Sequence, residues 1–417
     1  MNLQLTYNPQ PATRNPQLSI TGSKSETNRL LLLQALYPNL TLENTSNSDD
    51  SEVMSKALQN PQPATRNPQL IDVHHAGTAM RFLTAFFAIQ EGKEVVLTGS
   101  TRMKERPIKI LVEALQQLGA EISYEEQAGF PPLSIKGKKL TRSKVSLPAN
   151  VSSQYISALL LIAPKLENGL ELTLEGEITS VPYIKMTLAL LNEIGVENSF
   201  IGNTIKVNPQ PATRNPQLLT IESDWSSVSY WYSIIALSEV GTQITLSSYK
   251  PNSLQGDSAL VEIYSAFGVE TIFENNSILL RKSHNPKLTT HNLQLNNCPD
   301  IAQTIAVTCF GLGLPCHLTG LHTLKIKETD RLEALKTELT KLGAKVTVTH
   351  ESLTLEQSES INPNINIKTY QDHRMAMAFA PLAIKVPIVI EEAEVVSKSY
   401  PTFWADLKLA GFSVAEQ

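Results

Sequence analysis

Cysteine is scarce in this sequence, with three cysteines among 417 residues. Three thiols are too few for a disulfide-stabilised scaffold, which favours a reducing cytoplasm and small buried side chains. The longest apolar run, residues 155–164, is too short to span a bilayer. The N-terminal residues MNLQLTYNPQ lack a basic region followed by an apolar core, so we expect no signal peptide. These absences predict a cytoplasmic protein without a membrane partner.

Positive charge is not in excess either. The sequence has 35 Lys and Arg against 40 Asp and Glu, a formal net charge of −5, which argues against a nucleic-acid partner. It contains no P-loop sequence, so a nucleotide site of that kind is not predicted. His74 and His75 are adjacent and would point to opposite faces of a strand, which makes a poor metal pair. We therefore expect no metal site, and an anionic substrate would need locally gathered cations.

What the sequence does contain is an internal repeat. Glycines that would end a helix and open a strand recur at separations of 76, 73, 75 and 68 residues, at Gly119, Gly195, Gly268, Gly343 and Gly411. Strands are expected to end some residues earlier, at Gly99, Gly176, Ser248, Gly320 and Glu392. A second series, of expected helix starts, runs in step near Lys24, Gly77, Ser152, Trp225, Asp300 and His373. Six copies of one unit are therefore expected.

Each copy should alternate strands with helices. In the second copy, apolar residues at helical spacing predict a helix over 78–89, followed by a strand over 94–98 and a second helix over 108–118. Gly119 should end that helix in the left-handed conformation, before a last strand over 120–124. The same alternation recurs over 152–206, 225–281, 300–356 and 373–417. It predicts an α/β architecture with right-handed crossovers, and the chain length favours two domains.

A different repeat of eleven residues, NPQPATRNPQL, occurs identically at 8–18, 60–70 and 208–218. Its prolines and its lack of hydrophobic periodicity predict an extended or irregular surface loop. We interpret it as an inserted cassette, because loop insertions cost little; the alternative is a proline-rich recognition peptide. The second cassette lies where the first unit should have its glycine stop and last strand. The first interval between helix starts is also short, at 53 residues, so the first unit is expected to be incomplete.

The predicted helix starts carry most of the unusual polar clusters, such as GSKSETNR, RMKERP, KETDR and SKSYP. A helix N-terminus has unpaired backbone N–H groups and a partial positive charge, and both favour anions. Lysine and arginine normally stabilise the opposite end of a helix, so their recurrence here indicates an anion-binding site. Each cluster alone has an ordinary explanation, such as N-capping by Ser23 or Ser25, a helical pair of Glu328 with Arg331, or a solvated surface charge.

Together these clusters resemble the 5-enolpyruvylshikimate-3-phosphate synthase family. The resemblance rests on GSKSETNR, AGTAMR, RMKERPI, VSSQY, SVPYI, NSLQGD, PDIAQT, KETDRL, DHRMAM and SKSYP, all in family order. It implies the two-domain enolpyruvyl transferase fold, an α/β architecture of six pseudo-repeated strand–helix units, three in each domain, with the active site in the interdomain cleft. One domain is expected at 23–223, and a discontinuous one at 1–22 plus 224–417.

The activity that the resemblance implies is transfer of the enolpyruvyl group of phosphoenolpyruvate to the 5-hydroxyl of shikimate 3-phosphate, with release of phosphate. This is a step of the shikimate pathway of aromatic amino-acid biosynthesis. The implied partners are these two small molecules, with no cofactor, no metal and a monomer as the working form. Both substrates are anions, which suits the cationic helix starts.

The resemblance also assigns roles residue by residue. Shikimate 3-phosphate is expected to contact Lys24, Ser25, Arg29, Ser152, Ser153, Gln154, Ser180, Tyr183, Asp300 and Lys327. Phosphoenolpyruvate is expected to contact Lys24, Gly77, Arg106, Gln154, Arg331, Arg374 and Lys398. The expected catalytic residues are Asp300 as base for the 5-hydroxyl, Glu328 as acid for the methylene carbon, and Lys24 between the substrates. Because cations flank Glu328 and favour its ionised form, burial or substrate charge must supply its protonation.

Two positions depart from the family pattern. His75 stands where asparagine is common, and Thr323 stands where an asparagine that contacts shikimate 3-phosphate is common, so Thr323 is kept only as a candidate contact. One rival, UDP-N-acetylglucosamine enolpyruvyl transferase, shares the fold but uses a reactive cysteine in the loop corresponding to 101–107, where this sequence has none. A second rival, a non-catalytic protein that displays the cassettes, would be expected to lose the charged residues, yet all are present.

Overall fold

The structure is a computed structural model that describes residues 1–8, 15–59, 68–149, 152–176, 178, 181–210 and 217–417. Ser180 and the interior of each cassette lie outside the described residues. The chain forms two compact units: an inserted unit, Ser23–Ile221, and a discontinuous unit, Met1–Gly22 with Glu222–Gln417.

Short strands and helices alternate along both units. The strands are β1 Leu3–Tyr7, β2 Gln17–Ser19, β3 Leu40–Glu43, β4 Gln69–Asp72, β5 Glu94–Thr98, β6 Glu121–Tyr124, β7 Leu133–Lys136, β8 Lys144–Pro148, β9 Leu170–Glu175, β10 Asn198–Ile201, β11 Thr204–Val207, β12 Gln217–Thr220, β13 Gln243–Ser247, β14 Val269–Glu274, β15 Ser277–Lys282, β16 His291–Gln294, β17 Cys316–Thr319, β18 Val346–Val348, β19 Leu353–Leu355, β20 Ile365–Ile367, β21 Ile388–Ile390 and β22 Phe412–Glu416. The helices are α1 Lys24–Leu36, α2 Asp49–Gln59, α3 Gly77–Ala88, α4 Thr101–Lys104, α5 Lys109–Leu118, α6 Ser153–Ile162, α7 Val181–Glu193, α8 Trp225–Leu237, α9 Leu260–Ser265, α10 Ala302–Gly311, α11 Arg331–Lys341, α12 His373–Phe379 and α13 Phe403–Leu409. Short 3₁₀ turns cover Ala163–Lys165, Gly256–Ala259, Pro299–Ile301, His322–Ile326, Ala380–Ile384 and Ala393–Lys398.

Five sheets have four strands and one shared topology. Their orders are β4-β5-β7-β6, β8-β9-β11-β10, β2-β13-β15-β14, β16-β17-β19-β18 and β20-β21-β1-β22. In each sheet the first two strands are parallel and the remaining pairings are antiparallel. The predicted α/β architecture of repeated strand–helix units is confirmed. Four of the copies end in two antiparallel strands where the periodicity predicts one, because alternation over three to six residues is a weak signal.

The first copy is the exception. Its sheet contains β12 and β3 alone in the described part of the chain, without the antiparallel pair that completes the other five. The second cassette occupies the position of that pair in the sequence, in line with the expected incompleteness of this copy. Two edge strands are also exchanged, since β2 precedes α1 but pairs with β13, whereas β12 precedes α8 but pairs with β3. Each unit therefore contains three sheets.

One helix of most copies is buried on nearly all sides. In α8, every residue except Ser226 is buried, and in α6 every residue from Tyr155 to Ile162 is buried. A helix that is apolar all round needs neighbours on every side. Helices α1, α3 and α6 pack against one another in the inserted unit, and α8, α10 and α12 do so in the discontinuous unit. These six are the inner helices.

The register between inner helices is marked by buried hydroxyl pairs. Ser229 of α8 hydrogen bonds with Thr304 of α10 at 3.1 Å, and Thr308 donates to Ser233 at 2.7 Å, one helical turn further along each helix. The two helices thus run in the same direction. Parallel inner helices bring their N-termini to one end of the unit, which is where the polar clusters of the sequence lie.

The predicted helix-ending glycines and helix starts of the repeats are confirmed. All five stop glycines have positive φ, from 80° at Gly268 to 106° at Gly119, and Gly119 caps α5 in the left-handed conformation. The amide of Ala120 donates to Leu115 O at 2.9 Å, which satisfies a carbonyl at the end of that helix. Predicted helix starts agree within about two residues at all six positions.

Each unit has its own hydrophobic core. The core of the inserted unit includes Phe82, Leu115 and Leu160, and that of the discontinuous unit includes Trp225, Trp231 and Phe310. All three cysteines are free and buried. Within the described ranges, no helix combines the length and the apolar character needed to cross a membrane.

The last two residues of each cassette belong to strands β2, β4 and β12, and they are not equivalent. The cassette leucine is 4% exposed at Leu18, 67% at Leu70 and 57% at Leu218. In β2 the inward-facing residue is the cassette leucine, Leu18. In β4 and β12 the inward-facing residue is the one after the cassette leucine, Ile71 and Leu219, respectively. The expectation of a surface segment is therefore wrong for Leu18, because a one-residue shift in a strand exchanges its two faces.

The three identical peptides provide a matched stability test. Leu18→Ala should lower the free energy of unfolding by about 2–5 kcal/mol, because it removes a buried side chain from a packed core. Leu70→Ala and Leu218→Ala should each change it by about 0.5 kcal/mol or less. Urea unfolding followed by circular dichroism measures all three. Equal losses in the three variants would contradict the assignment of Leu18 to the core.

Candidate active site

In the inserted unit, the N-terminus of α1 carries Lys24 as its first residue. Ser23 caps the helix by accepting from the Glu26 amide at 3.3 Å. The Lys24 ammonium lies 3.4 Å from Asp50 Oδ2, and both side chains are less than one-fifth exposed. Asp50 belongs to the first turn of α2. The carboxylate offsets the unfavourable position of a cation at a helix start.

Arg29 lies one turn further into α1 and is 3% exposed. Its Nε donates to Thr187 Oγ1 at 2.8 Å, Nη2 donates to Ser157 Oγ at 2.9 Å, and Nη1 donates to the carbonyl of Ser25 at 2.7 Å. The guanidinium also lies 5.9 Å from the centre of the Tyr183 ring. Burial lowers the pKa of Arg29 to about 10. These three hydrogen-bond partners are neutral oxygens, so a bound anion would stabilise the charge of Arg29.

Gly77 is the first residue of α3, and the Arg106 guanidinium lies directly beside it. A Cβ added to Gly77 would be 2.6 Å from Arg106 Nη1 and 3.0 Å from its Cζ. The buried Nε of Arg106 has no hydrogen-bond partner among the described residues. Arg81, also buried, donates to Gly77 O at 3.1 Å and to Pro107 O at 3.3 Å. Arg81 therefore ties the segment that carries Arg106 to the start of α3.

The start of α6 is joined to the start of α3 by one side-chain contact. Gln154 Nε2 donates to Thr78 Oγ1 at 3.1 Å. Ser152 caps α6 by accepting from the Gln154 amide, and Ser153 is the first helical residue. The structure thus brings the α3 and α6 clusters together.

In the discontinuous unit, Arg331 is the centre of a buried ion cluster. Its side chain is 2% exposed at the first position of α11. Nε donates to Asp372 Oδ2 at 2.6 Å, Nη1 donates to Asp300 Oδ1 at 2.9 Å, and Nη2 donates to Glu328 Oε2 at 2.8 Å. Burial alone would lower the pKa of Arg331, but the three carboxylates together raise it above its ordinary value. The predicted base and acid thus share one guanidinium.

Two further cations surround Asp300. Lys327 Nζ lies 3.4 Å from Asp300 Oδ1, and Arg374 Nη2 lies 3.6 Å from Asp300 Oδ2. Arg374 Nη1 also donates to the main-chain carbonyl of Asp300 at 3.2 Å. Arg374 is the second residue of α12, whose N-cap, Asp372, accepts from its amide at 2.8 Å. Three predicted substrate cations therefore converge on one carboxylate.

Lys398 approaches the same helix start from the 3₁₀ turn Ala393–Lys398. Its Nζ donates to the carbonyl of Gln371 at 2.8 Å. Tyr370 and Gln371 both have positive φ, 55° and 56°, which is uncommon for residues other than glycine. Such strain is concentrated at functional sites, where the surroundings enforce it.

The two residues that depart from the family pattern lie in different surroundings. His75 Nδ1 and Ser100 Oγ are 2.9 Å apart at the surface, so the ring contacts the segment between β5 and α4. Thr323 lies in the 3₁₀ turn His322–Ile326, and its hydroxyl oxygen is buried without a hydrogen-bond partner among the described residues. That open hydroxyl keeps Thr323 a candidate contact.

Sequence reasoning assigned no role to Asp50, Arg81 or Asp372, although Arg81 lies in AGTAMR and Asp372 begins DHRMAM. Their partners are Lys24, Gly77 O and Arg331, respectively. The available signal was the adjacency of these residues to predicted helix starts. Across the described ranges, no group of three or more His, Cys, Asp or Glu side chains could hold a metal ion.

Known proteins with similar sequences agree on one family. A family model described as EPSP synthase (3-phosphoshikimate 1-carboxyvinyltransferase) matches residues 39–407. The chain belongs to the EPSP synthase family. A 3-phosphoshikimate 1-carboxyvinyltransferase of Bacteroides fragilis is 46% identical over 409 residues, covering 97% of both chains. The enzyme of the same name from Shewanella pealeana is 36% identical over 412 residues, covering 93% of this chain and 95% of the relative.

Solved structures confirm the EPSP synthase fold. An EPSP synthase from Acinetobacter baumannii superposes with a TM-score of 0.79 at 19% identity over the whole of both chains. The enolpyruvyl transferase NikO from Streptomyces tendae gives a TM-score of 0.74 at 13% identity, over 100% of this chain and 99% of that one. At these identities the likeness establishes the fold alone.

The contact between Gly77 and Arg106 leads to a prediction. The resemblance predicts that Arg106 contacts phosphoenolpyruvate. Gly77→Ala should then raise the KM for this substrate by roughly tenfold or more, because the new methyl group displaces the guanidinium and hydrogen bonds to charged groups contribute about 1.5–3 kcal/mol. The melting temperature should change little, since the displaced atoms end a flexible side chain. Steady-state kinetics of Gly77→Ala, Arg106→Ala and the double variant provide the measurement. If the two effects on KM multiply in the double variant, Gly77→Ala does not act through Arg106.

Proposed function

We propose that this chain transfers the enolpyruvyl group of phosphoenolpyruvate to the 5-hydroxyl of shikimate 3-phosphate and releases phosphate. The family match over residues 39–407 and the 46% identity to a 3-phosphoshikimate 1-carboxyvinyltransferase support this activity. The structural observation that most supports this activity is the Arg331 cluster. In it the predicted base and the predicted acid pair with one guanidinium, and Lys327 and Arg374 lie close to the base.

Asp300 is suited to the part of the base. Its Oδ1 accepts from Arg331 at 2.9 Å and lies 3.4 Å from Lys327, so its negative charge is stabilised. In our proposal it accepts the proton of the 5-hydroxyl as the oxygen bonds to the central carbon of phosphoenolpyruvate. An ionised carboxylate is what such a step requires.

Glu328 is assigned the part of the acid. It supplies the proton that the methylene carbon of phosphoenolpyruvate takes up as the new carbon–oxygen bond forms. Because the product again contains a methylene group, atom balance requires the carbon to return one proton when phosphate leaves. In the structure Glu328 accepts from Arg331 Nη2 at 2.8 Å, an arrangement of the ionised carboxylate. Substrate anions that compete for Arg331 would release Glu328 to take up its proton.

In this proposal the two substrates bind the residues that the family resemblance assigns to them. Shikimate 3-phosphate is assigned to Lys24, Ser25, Arg29, Ser152, Ser153, Gln154, Ser180, Tyr183, Asp300 and Lys327. Phosphoenolpyruvate is assigned to Lys24, Gly77, Arg106, Gln154, Arg331, Arg374 and Lys398. The open Nε of Arg106 beside the α3 start supports the second set, because a guanidinium and a helix N-terminus both favour carboxylate or phosphate oxygens.

The domain boundaries, the oligomeric state, the absence of a nucleic-acid partner and the cellular location stay predictions. The predicted domain boundary at 22/23 coincides with a boundary of the compact units, and the one predicted at 223/224 lies two residues after their boundary at 221/222. A monomer without a nucleic-acid partner is supported by the net charge of −5, and a cytoplasmic location by the three free cysteines.

The activity is tested by phosphate release from phosphoenolpyruvate and shikimate 3-phosphate. Asp300→Asn and Glu328→Gln should each lower kcat by about 10²–10⁴-fold, because positioned acids and bases contribute that much. Glu333→Gln is the matched control and should retain full activity, because Glu333 is exposed on α11 and its carboxylate pairs with Lys336. Absence of phosphate release by the wild-type protein would refute the proposed function.

Glyphosate should inhibit this enzyme. The compound carries a carboxylate and a phosphonate, and Gly77 leaves the space beside Arg106 unobstructed by a methyl group. We expect turnover to fall as glyphosate is added and to recover as phosphoenolpyruvate is raised. Turnover that stays constant at saturating glyphosate would reject this expectation.

A further inference from the structure

A buried carboxyl group outside the assigned set lies near Arg374. Asp257 ends the NSLQGD segment, sits in the 3₁₀ turn Gly256–Ala259 and is 4% exposed. Its Oδ2 accepts a hydrogen bond from the Ser226 hydroxyl. Its Oδ1 is buried without a hydrogen-bond partner among the described residues. A buried carboxyl with an unused oxygen is costly, so its retention calls for a physical explanation.

Ser226 connects this carboxyl to a predicted substrate cation. Its Oγ–H donates to Asp257, so its lone pairs remain available as acceptors. Arg374 Nη2 donates to Ser226 Oγ at 3.3 Å. On the other side, Arg374 Nη1 donates to Asp300 O at 3.2 Å. The guanidinium therefore donates to oxygens of two different segments, and one of these oxygens is oriented by Asp257.

Ser226 occupies a distinctive place on its helix. It is the second residue of α8 and the one residue of that helix that is not buried. Asp224 caps α8 by accepting from the Ser227 amide at 2.7 Å, so the Ser226 side chain is not used for capping. Its hydroxyl is thus available for the contact between Asp257 and Arg374.

We propose that Asp257 is a positioning residue for Arg374, acting through the Ser226 hydroxyl so that the guanidinium keeps the orientation in which it meets phosphoenolpyruvate. This inference rests on the proposed function. Asp257 fixes the direction of the Ser226 O–H, and the serine oxygen then accepts from the arginine. Loss of that acceptor removes one of the hydrogen bonds that orient the guanidinium before substrate binds.

Asparagine is a suitable conservative replacement for Asp257, because of the charged groups that surround this carboxyl. The groups that face it are Asp224, Asp300, Arg374 and the thiol of Cys298. Burial, followed by the charge of Asp300, raises the pKa of Asp257 to about 6. A protonated acid and an asparagine amide have nearly the same shape. In either, one oxygen can accept from Ser226 while the other position carries hydrogen.

The test is steady-state kinetics with phosphoenolpyruvate as the varied substrate. Ser226→Ala and Asp257→Ala should each raise the KM for phosphoenolpyruvate by roughly three- to tenfold, the range of one hydrogen bond, with kcat changed less than about twofold. The double variant should be no worse than either single variant, because both remove the same connection. Asp257→Asn and Ser226→Thr should stay within about twofold of the wild-type KM.

Ser233→Ala is the matched control, since Ser233 is a buried serine on the same helix whose hydroxyl contacts Thr308 and not Arg374. It should leave the KM unchanged. An unchanged KM in Ser226→Ala, or multiplied effects in the double variant, would overturn the positioning role. If Asp257→Ala does not fold, the comparison of Ser226→Ala with Ser226→Thr decides. An inactive wild-type protein would instead refute the proposed function, so the two failures are distinguishable.

Discussion

The guanidinium of Arg331 is the interaction on which the chemistry of the discontinuous unit depends. It is buried and donates to Asp300, Glu328 and Asp372, which belong to three separate segments of the chain. A buried charge is tolerated only when it is paired, and removing one partner of a buried pair typically costs about 3–5 kcal/mol. The segments that carry Asp300 and Glu328 are thereby held in fixed register, and the N-cap of α12 is held with them.

The repeats create the need for such pairing. Parallel inner helices bring several N-termini to one end of each unit, and two of these helices, α1 and α12, carry a lysine or arginine in the first turn. A cation at that end opposes the helix dipole by about 0.3–1 kcal/mol. The structure offsets this locally with carboxylates: Asp50 faces Lys24, and Asp300 faces Arg374. The result is an anion-seeking surface whose cations are already oriented.

Much of the scaffold was predictable from local signals. Gly119 and its four counterparts end helices because a left-handed residue is needed there, and glycine adopts that conformation without steric cost. The start of α8 at Trp225 could be placed from Asp224, whose side chain caps it. Local signals could not predict the exchange of β2 and β12 between copies, because both strands precede an inner helix in sequence and pairing partners leave no local mark.

The candidate site shows the same division. The sequence by itself determined the six-fold repeat, the helix starts and the identity of the cations and carboxylates near them, since periodicity and residue chemistry are local properties. Only the tertiary structure decided that Asp372 rather than solvent completes the pairing of Arg331, and that Ser226 connects Asp257 to Arg374. It also decided that Leu18 is buried while Leu70 and Leu218, in identical peptides, are exposed. Burial and pairing depend on which segments meet in space, and one peptide can meet different neighbours at different places in a chain.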